Sequence, residues 1–110
     1  MILDQQGDEC RGRTVLSVRS LQALATRLAS DAAQTRDSEV SLELTDDSGR
    51  LRASVRLPLA LTAEPIPIPE QAQMIRAALI DGMFRLAERS VSAVDIRFDG
   101  ARPARRGRVL

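Results

Sequence analysis

The chain has 110 residues, of which 44% are hydrophobic and 28% are charged, and its net charge is +1. This length and composition suit one compact domain with a soluble surface, and the balanced charge argues against a general attraction to nucleic acid or anionic lipid. The sequence has no histidine and a single cysteine, which excludes an imidazole base, a histidine metal ligand, an intrachain disulfide and a cysteine-based zinc or iron–sulfur site.

Residues 1–11 are polar and show no hydrophobic period, which predicts a disordered leader. Within it, Cys10 is either a spectator or a reactive thiol. The leader lacks the basic stretch and apolar run of a signal peptide, and no apolar stretch in the chain approaches the roughly 20 residues that span a bilayer. These features predict a cytoplasmic protein that meets a membrane only through a partner or a surface.

The first predicted helix follows a segment, RTVLS, that favours a short edge strand. Ser17 is a suitable N-cap, and apolar residues then recur at helical spacing as far as Ala32. The pattern predicts a helix from about Val18 to Ala33, closed by the loop sequence QTRDS.

A β-hairpin is predicted next. Apolar and polar residues alternate from Val40 to Thr45 and again from Arg50 to Leu57, as in two half-buried strands. The intervening DDSG is a turn sequence. With all four of its residues in the loop, Thr45 lies opposite Arg50.

That register predicts a structural ion-pair face on the hairpin, with Glu43 opposite Arg52 and Glu39 opposite Arg56. Opposite charges across a strand pair contribute about 0.2–1 kcal/mol each. The face is therefore a solvated lattice of ion pairs, or it mediates self-association by exchanging partners between copies.

A second helix is predicted after the Pro-rich connection LTAEPIPIPEQ, with Pro69 at its first position and its end near Arg89. Its core stripe is formed by Ala72, Ile75, Leu79, Met83 and Leu86. Ile80 and Phe84 lie outside this stripe. Either the first helix or a tail covers them, or they contact a partner.

The last predicted strand is AVDIRFDG, which ends at Gly100. Residues 101–110 are predicted to form a basic disordered tail, which either stays solvated or weakly touches phosphate or anionic lipid through Arg102, Arg105, Arg106 and Arg108. Together the elements predict one α+β domain over residues 12–100. It is a two-layer sandwich of order (β)αββαβ, with an antiparallel hairpin, a C-terminal strand and two helices on one sheet face.

No combination of residues points to catalysis or to a cofactor. DDSG lacks the ligand spacing of a calcium loop, and no Gly-rich phosphate loop is present. The chain is therefore expected not to be an enzyme. A KH-like, RNA-associated module is the alternative, because the same element order builds one class of KH domain. Against it, the sequence has no GxxG loop and no outward aromatic residue on the predicted sheet.

Two segments resemble a known family. GRTVLSVRSLQALATRLASDAAQ is similar to the opening of the alkaline shock protein family, the envelope stress response proteins of Gram-positive bacteria. IPIPEQAQMIRAALIDGMFRLAERSVSAVDIRFDG resembles that family's second half, in which a helix precedes a strand of the form V-x-V-x-V-x-G, matched here by Val94, Ile96, Phe98 and Gly100. The resemblance covers about residues 12–100 as an order of elements. The chain departs from it in carrying RSVS where members often have Thr-Gly, and in its basic tail.

The resemblance implies a divergent, actinobacterial member with a cytoplasmic, non-enzymatic role in cell-envelope stress or homeostasis. It also implies association between copies and docking on a small membrane-anchor protein. The family has no motif-defined functional residues, so the candidate partner contacts come from this sequence alone: Ile80 and Phe84 first, then the tail arginines named above.

Overall fold

The computed structural model describes residues 17–104, which form two helices packed on one face of a three-stranded sheet. The elements in chain order are helix α1 (Val18–Ala33), a short 3-10 helix (Asp37–Glu39), strands β1 (Ser41–Asp47) and β2 (Arg50–Leu61), helix α2 (Ile68–Ala87) and strand β3 (Val91–Pro103). The predicted α+β class and two-layer arrangement are confirmed. The leader, nearly all of the optional first strand, and Arg105, Arg106 and Arg108 lie outside the described residues.

Helix α1 has the bounds that the sequence predicts. The Ser17 hydroxyl accepts a hydrogen bond from the Ser20 backbone N–H at 3.0 Å, which satisfies one of the free donors of the first turn. The helix ends at Ala33, and the left-handed backbone of its C-cap Gln34 lets the Thr35 N–H donate to the Ser30 carbonyl at 3.0 Å. Its buried side is lined by small residues and one leucine: Leu21, Ala25, Ala29, Ser30 and Ala33. The Gln22 side chain donates to the Leu42 carbonyl and ties α1 to β1.

The hairpin between β1 and β2 turns through two residues, Ser48 and Gly49, which have φ angles of 55° and 87°. Positive φ at both positions is the requirement of a type I′ turn, whose twist matches that of the flanking strands. The two aspartates of DDSG therefore join β1, and Asp47 lies opposite Arg50.

The predicted register of the hairpin is wrong by two residues. Thr45 lies opposite Arg52, not Arg50, because the loop contains two residues instead of four. Side chains in a strand alternate with a period of two, so an even shift leaves every residue on its predicted face. The apolar side of the hairpin still faces the helices, but every cross-strand pair changes.

Strand β2 is the central strand, antiparallel to β1 and parallel to β3. It extends to Leu61, four residues beyond its predicted end, and it accommodates Pro58 without an unpaired N–H. The pairing with β1 ends at Arg56, and the register with β3 shifts at Pro58. Neither neighbour therefore requires the N–H that proline lacks.

Strand β3 continues three residues past Gly100, where the sequence predicts its end. Gly100 has a φ of 79° and lies at the register shift, so it forms a bulge and does not stop the strand. Beyond the bulge, Arg102 pairs with Ala60 and Pro103 with Leu61. The first three residues of the predicted disordered tail thus belong to the sheet.

The core lies between the two helices and the inner face of the sheet. Its largest fully buried apolar side chains are Leu57 of β2 and Ile75, Leu79 and Met83 of α2. The predicted core stripe of α2 is confirmed at Ile75, Leu79 and Met83, which are fully buried. Ala72, also predicted in the stripe, is half-buried. Leu86 is 57% exposed, contrary to prediction, because burial along α2 ends at Met83, one turn before the helix itself ends.

The two helices approach each other closely at Gly82. A Cβ atom added there would lie 2.7 Å from both Cδ atoms of Leu28 and 3.2 Å from its Cγ. Real Cβ contacts are not this short, so any larger residue requires Leu28 to move. A glycine inside a helix costs about 1 kcal/mol relative to alanine, and the close packing offsets this cost.

We expect Gly82→Ala to be more favourable for stability when Leu28 is shortened than in the wild-type protein. In a double-mutant cycle, Gly82→Ala in the Leu28→Ala background should raise stability by up to about 1 kcal/mol, the helix-propensity gain. In the wild-type background, crowding against Leu28 should reduce or reverse this gain. Urea unfolding of the four proteins measures the coupling, and equal effects of Gly82→Ala in both backgrounds would contradict the close contact.

The turn residues provide a second test of the fold. Ser48→Asn should stabilise the protein by a few tenths to about 1 kcal/mol, because asparagine tolerates the left-handed conformation better than serine and Asn-Gly favours type I′ turns. Gly49→Ala should destabilise it by about 1–2 kcal/mol, because alanine at positive φ is strained. Thermal unfolding measures both variants. A neutral Gly49→Ala would contradict the positive φ of Gly49 and with it the type I′ turn.

Candidate interaction surfaces

One candidate surface lies on the side of α2 that faces away from the core. Four apolar residues, spaced by three, three and four positions, form what we name the outer strip: Met74, Ala77, Ile80 and Phe84. This spacing keeps them on one side of a helix. Ile80 is 41% exposed and Phe84 is 62% exposed, so the prediction that α1 covers them is wrong. Cover by the tail stays untested, because residues 105–110 lie outside the described residues. They remain available as contact candidates.

The outer strip is bordered by charge. Asp81 and Arg85 form an exposed ion pair at 3.0 Å on the side of the strip next to Phe84. On the other border, Arg76 turns toward the sheet, and its Nη2 donates to the Val94 carbonyl at 3.4 Å. An apolar strip with a polar rim is the usual arrangement of a protein contact site.

A second candidate surface is the side of the sheet that faces away from the helices, which we name the outer sheet face. The strand pairings arrange its side chains in rows across the three strands. One row contains Glu43, Ser54 and Asp95, and the next contains Ser41, Arg56 and Arg97. Negative and positive rows are therefore adjacent along the strands.

The predicted cross-strand ion pairs of this face are wrong, because the register differs by two. Glu43 lies opposite Ser54 and not Arg52, and Arg56 lies opposite Ser41 and not Glu39. Strand β3, which pairs in parallel with β2, also supplies ion-pair partners that the hairpin alone does not contain.

The observed ion pairs cross the sheet in another way. Arg52 pairs with Asp95 at 3.8 Å, and Glu39 pairs with Arg102 at 3.2 Å. Exposed pairs of this kind contribute at most about 1 kcal/mol. Arg102 is thus held in β3 by an ion pair and is not part of a free tail. The predicted self-association, in which ion-pair partners are exchanged between copies, would first require both of these ion pairs to break.

The second charged row contains two arginines side by side. Arg56 and Arg97 occupy paired positions on neighbouring parallel strands, and each points to the outer sheet face. They line an open cleft of about 840 Å³, together with Ser41, Ser54, Glu43, Asp95 and Arg76. Like charges directly opposite each other on a sheet are unfavourable, and the carboxylates of Glu43 and Asp95 in the same cleft offset part of this repulsion.

Among the residues that the structure describes, no group of three or more His, Cys, Asp or Glu side chains is placed to hold a metal ion. No helix in residues 17–104 is both long and apolar enough to cross a membrane. Comparison of the chain with family models, curated proteins and solved structures returned no match. The resemblance to the alkaline shock proteins therefore stays a prediction.

Proposed function

We propose that this protein is a non-enzymatic interaction protein that docks on a protein partner through the outer strip of α2. The observation that carries this proposal is the exposure of Phe84 beside Ile80 on a well-anchored helix. Phe84 is the more exposed of the chain's two aromatic residues, since Phe98 is half-buried against the core.

The energetics of α2 support this use of the strip. Its inner side already supplies Ile75, Leu79 and Met83 to the core, so the outer residues add little to folding. Burying a large apolar side chain against a partner contributes about 1.5–3 kcal/mol. Because the inner side fixes the helix, the strip is ordered before binding, and little conformational entropy is lost on association. A helix presenting apolar residues at this spacing suits a groove or a second helix.

The resemblance to the alkaline shock proteins adds a setting to this proposal. It suggests a scaffold in cell-envelope stress or homeostasis, whose copies associate and which docks on a small membrane-anchor protein. The helix–hairpin–helix–strand order of the described residues supports it. The same order underlies the KH-like alternative, so a direct test must separate protein partners from RNA.

The test is an affinity capture of the tagged full-length protein from a detergent-solubilised lysate of its own host, divided into nuclease-treated and untreated halves. We expect a small membrane protein to be recovered equally from both halves. Phe84→Glu should weaken its recovery at least tenfold, because a carboxylate in an apolar contact must be desolvated. Mass spectrometry identifies and quantifies the captured proteins.

Ala23→Glu is the matched control, because Ala23 is an exposed position of α1 on which the same charge is introduced. Both variants should retain the wild-type melting temperature, since neither position is buried. Equal recovery with both variants would contradict docking through the outer strip. Recovery of ribosomal or RNA-bound proteins that disappear with nuclease would instead favour the KH-like module.

A further inference from the structure

We propose that the outer sheet face carries an oxyanion site, centred on Arg56 and Arg97, that binds the phosphate group of a phosphate monoester. This site lies on a different face from the outer strip of α2 and does not depend on the proposed partner. Its basis is the pairing of the two arginines on adjacent parallel strands, with both side chains directed into one cleft.

Arg56 and Arg97 combine two properties: they occupy paired positions on adjacent strands, and neither forms an ion pair with a carboxylate of the described residues. Four arginines of the described residues are engaged in ion pairs: Arg27, Arg52, Arg85 and Arg102. Within the same part of the chain, no ion pair joins Arg56 or Arg97 to an acidic side chain. Two guanidinium groups side by side repel each other, and Glu43 and Asp95, one row away, offset only part of this repulsion, so a bound anion reduces it further.

The geometry of the sheet suits a tetrahedral oxyanion. Neighbouring strands lie about 4.8 Å apart, so two guanidinium groups can reach one phosphate from adjacent strands. Each guanidinium offers paired N–H donors that match phosphate oxygens. Ser41 lies directly across from Arg56, and Ser54 lies two positions before it on the same face. Both serines line the cleft, and both can donate an O–H to the same anion.

The charges at the opposite end of the cleft indicate which chemical groups the rest of the ligand carries. Glu43 and Asp95 line it one row away from the arginines, which corresponds to about 7 Å along the strands. These carboxylates repel a polyanion lying across the face but accept hydrogen bonds from hydroxyl or ammonium groups. The site therefore fits a compact ligand with one phosphate and a neutral or cationic polar end. Phosphoethanolamine is a simple probe with these features.

The test is titration of the full-length protein with inorganic phosphate and with phosphoethanolamine, followed by ¹H–¹⁵N NMR at constant ionic strength. We expect saturable shifts of backbone amides near Arg56 and Arg97. Arg97→Gln should weaken binding about tenfold, the effect of losing one charge-assisted contact. Glu43→Gln should strengthen the binding of inorganic phosphate, because a neighbouring negative charge is removed.

Arg50→Gln is the matched control. Arg50 lies on the same strand and the same side as Arg56, six residues or about 20 Å away, so its loss should have little effect. If Arg50→Gln and Arg97→Gln weakened phosphate binding equally, the binding would reflect a general electrostatic attraction to the protein. That result would contradict the proposed site. Weaker binding in Glu43→Gln, or no saturable binding of either probe, would also overturn it.

The monoester could be free or belong to a lipid headgroup, and vesicles separate these sources. Phosphatidylcholine vesicles with and without phosphatidic acid are tested for co-sedimentation with the same variants. Binding that needs phosphatidic acid and is lost in Arg97→Gln but kept in Arg50→Gln would assign the site to a lipid-borne monoester. Saturable binding of phosphoethanolamine without vesicle binding would assign it to a free one.

Discussion

The parallel pairing of β3 with β2 is the constraint on which the rest of this structure depends. A two-stranded hairpin alone is at best marginally stable in water. The chain crosses through α2 before β3 joins the sheet, as a parallel neighbour requires, and this places β2 in the centre. The crossover also sets α2 on the sheet with Ile75, Leu79 and Met83 facing inward. Both candidate surfaces follow: the outer strip is what α2 leaves exposed, and Arg97 comes to lie beside Arg56.

The sequence predicted helices and strands well where a single hydrophobic periodicity, helical or alternating, was sufficient to identify the element. The bounds of α1 follow from Ser17 and a helical repeat, and the hairpin faces follow from strict alternation. The hairpin register could not be obtained in this way, because alternation is unchanged by a shift of two residues. The choice between a four-residue and a two-residue loop depends on backbone twist at Ser48 and Gly49. Because the loop length sets the register, every predicted ion pair of the hairpin depended on this choice and was wrong.

The two candidate surfaces differ in how far sequence could reveal them. Phe84 and Ile80 could be named as contact candidates from the sequence, because their position outside the core stripe depends only on the geometry of one helix. The exposure of Leu86 depends on where the covering core ends, which is a tertiary property. The adjacency of Arg56 and Arg97 joins strands separated by the whole of α2, and bulges near Ser92 and Gly100 interrupt the register of β3. Counting along the sequence cannot align such strands, because glycine ends strands as readily as it forms bulges.

The two candidate surfaces differ in chemistry, since the outer strip is apolar and the outer sheet face is charged, and they lie on opposite layers. Contacts of the outer strip depend on apolar burial and respond weakly to salt, whereas an anion held by exposed arginines is screened by it. Helix α2 nevertheless takes part in both, because Arg76 borders the strip, donates to the Val94 carbonyl and lines the cleft. Since the inner side of α2 packs in the core, this link holds the helix at a fixed position against β3. Under the two proposals, Arg76 would therefore lie between a partner on α2 and an anion on the sheet, and it is the residue through which one could affect the other.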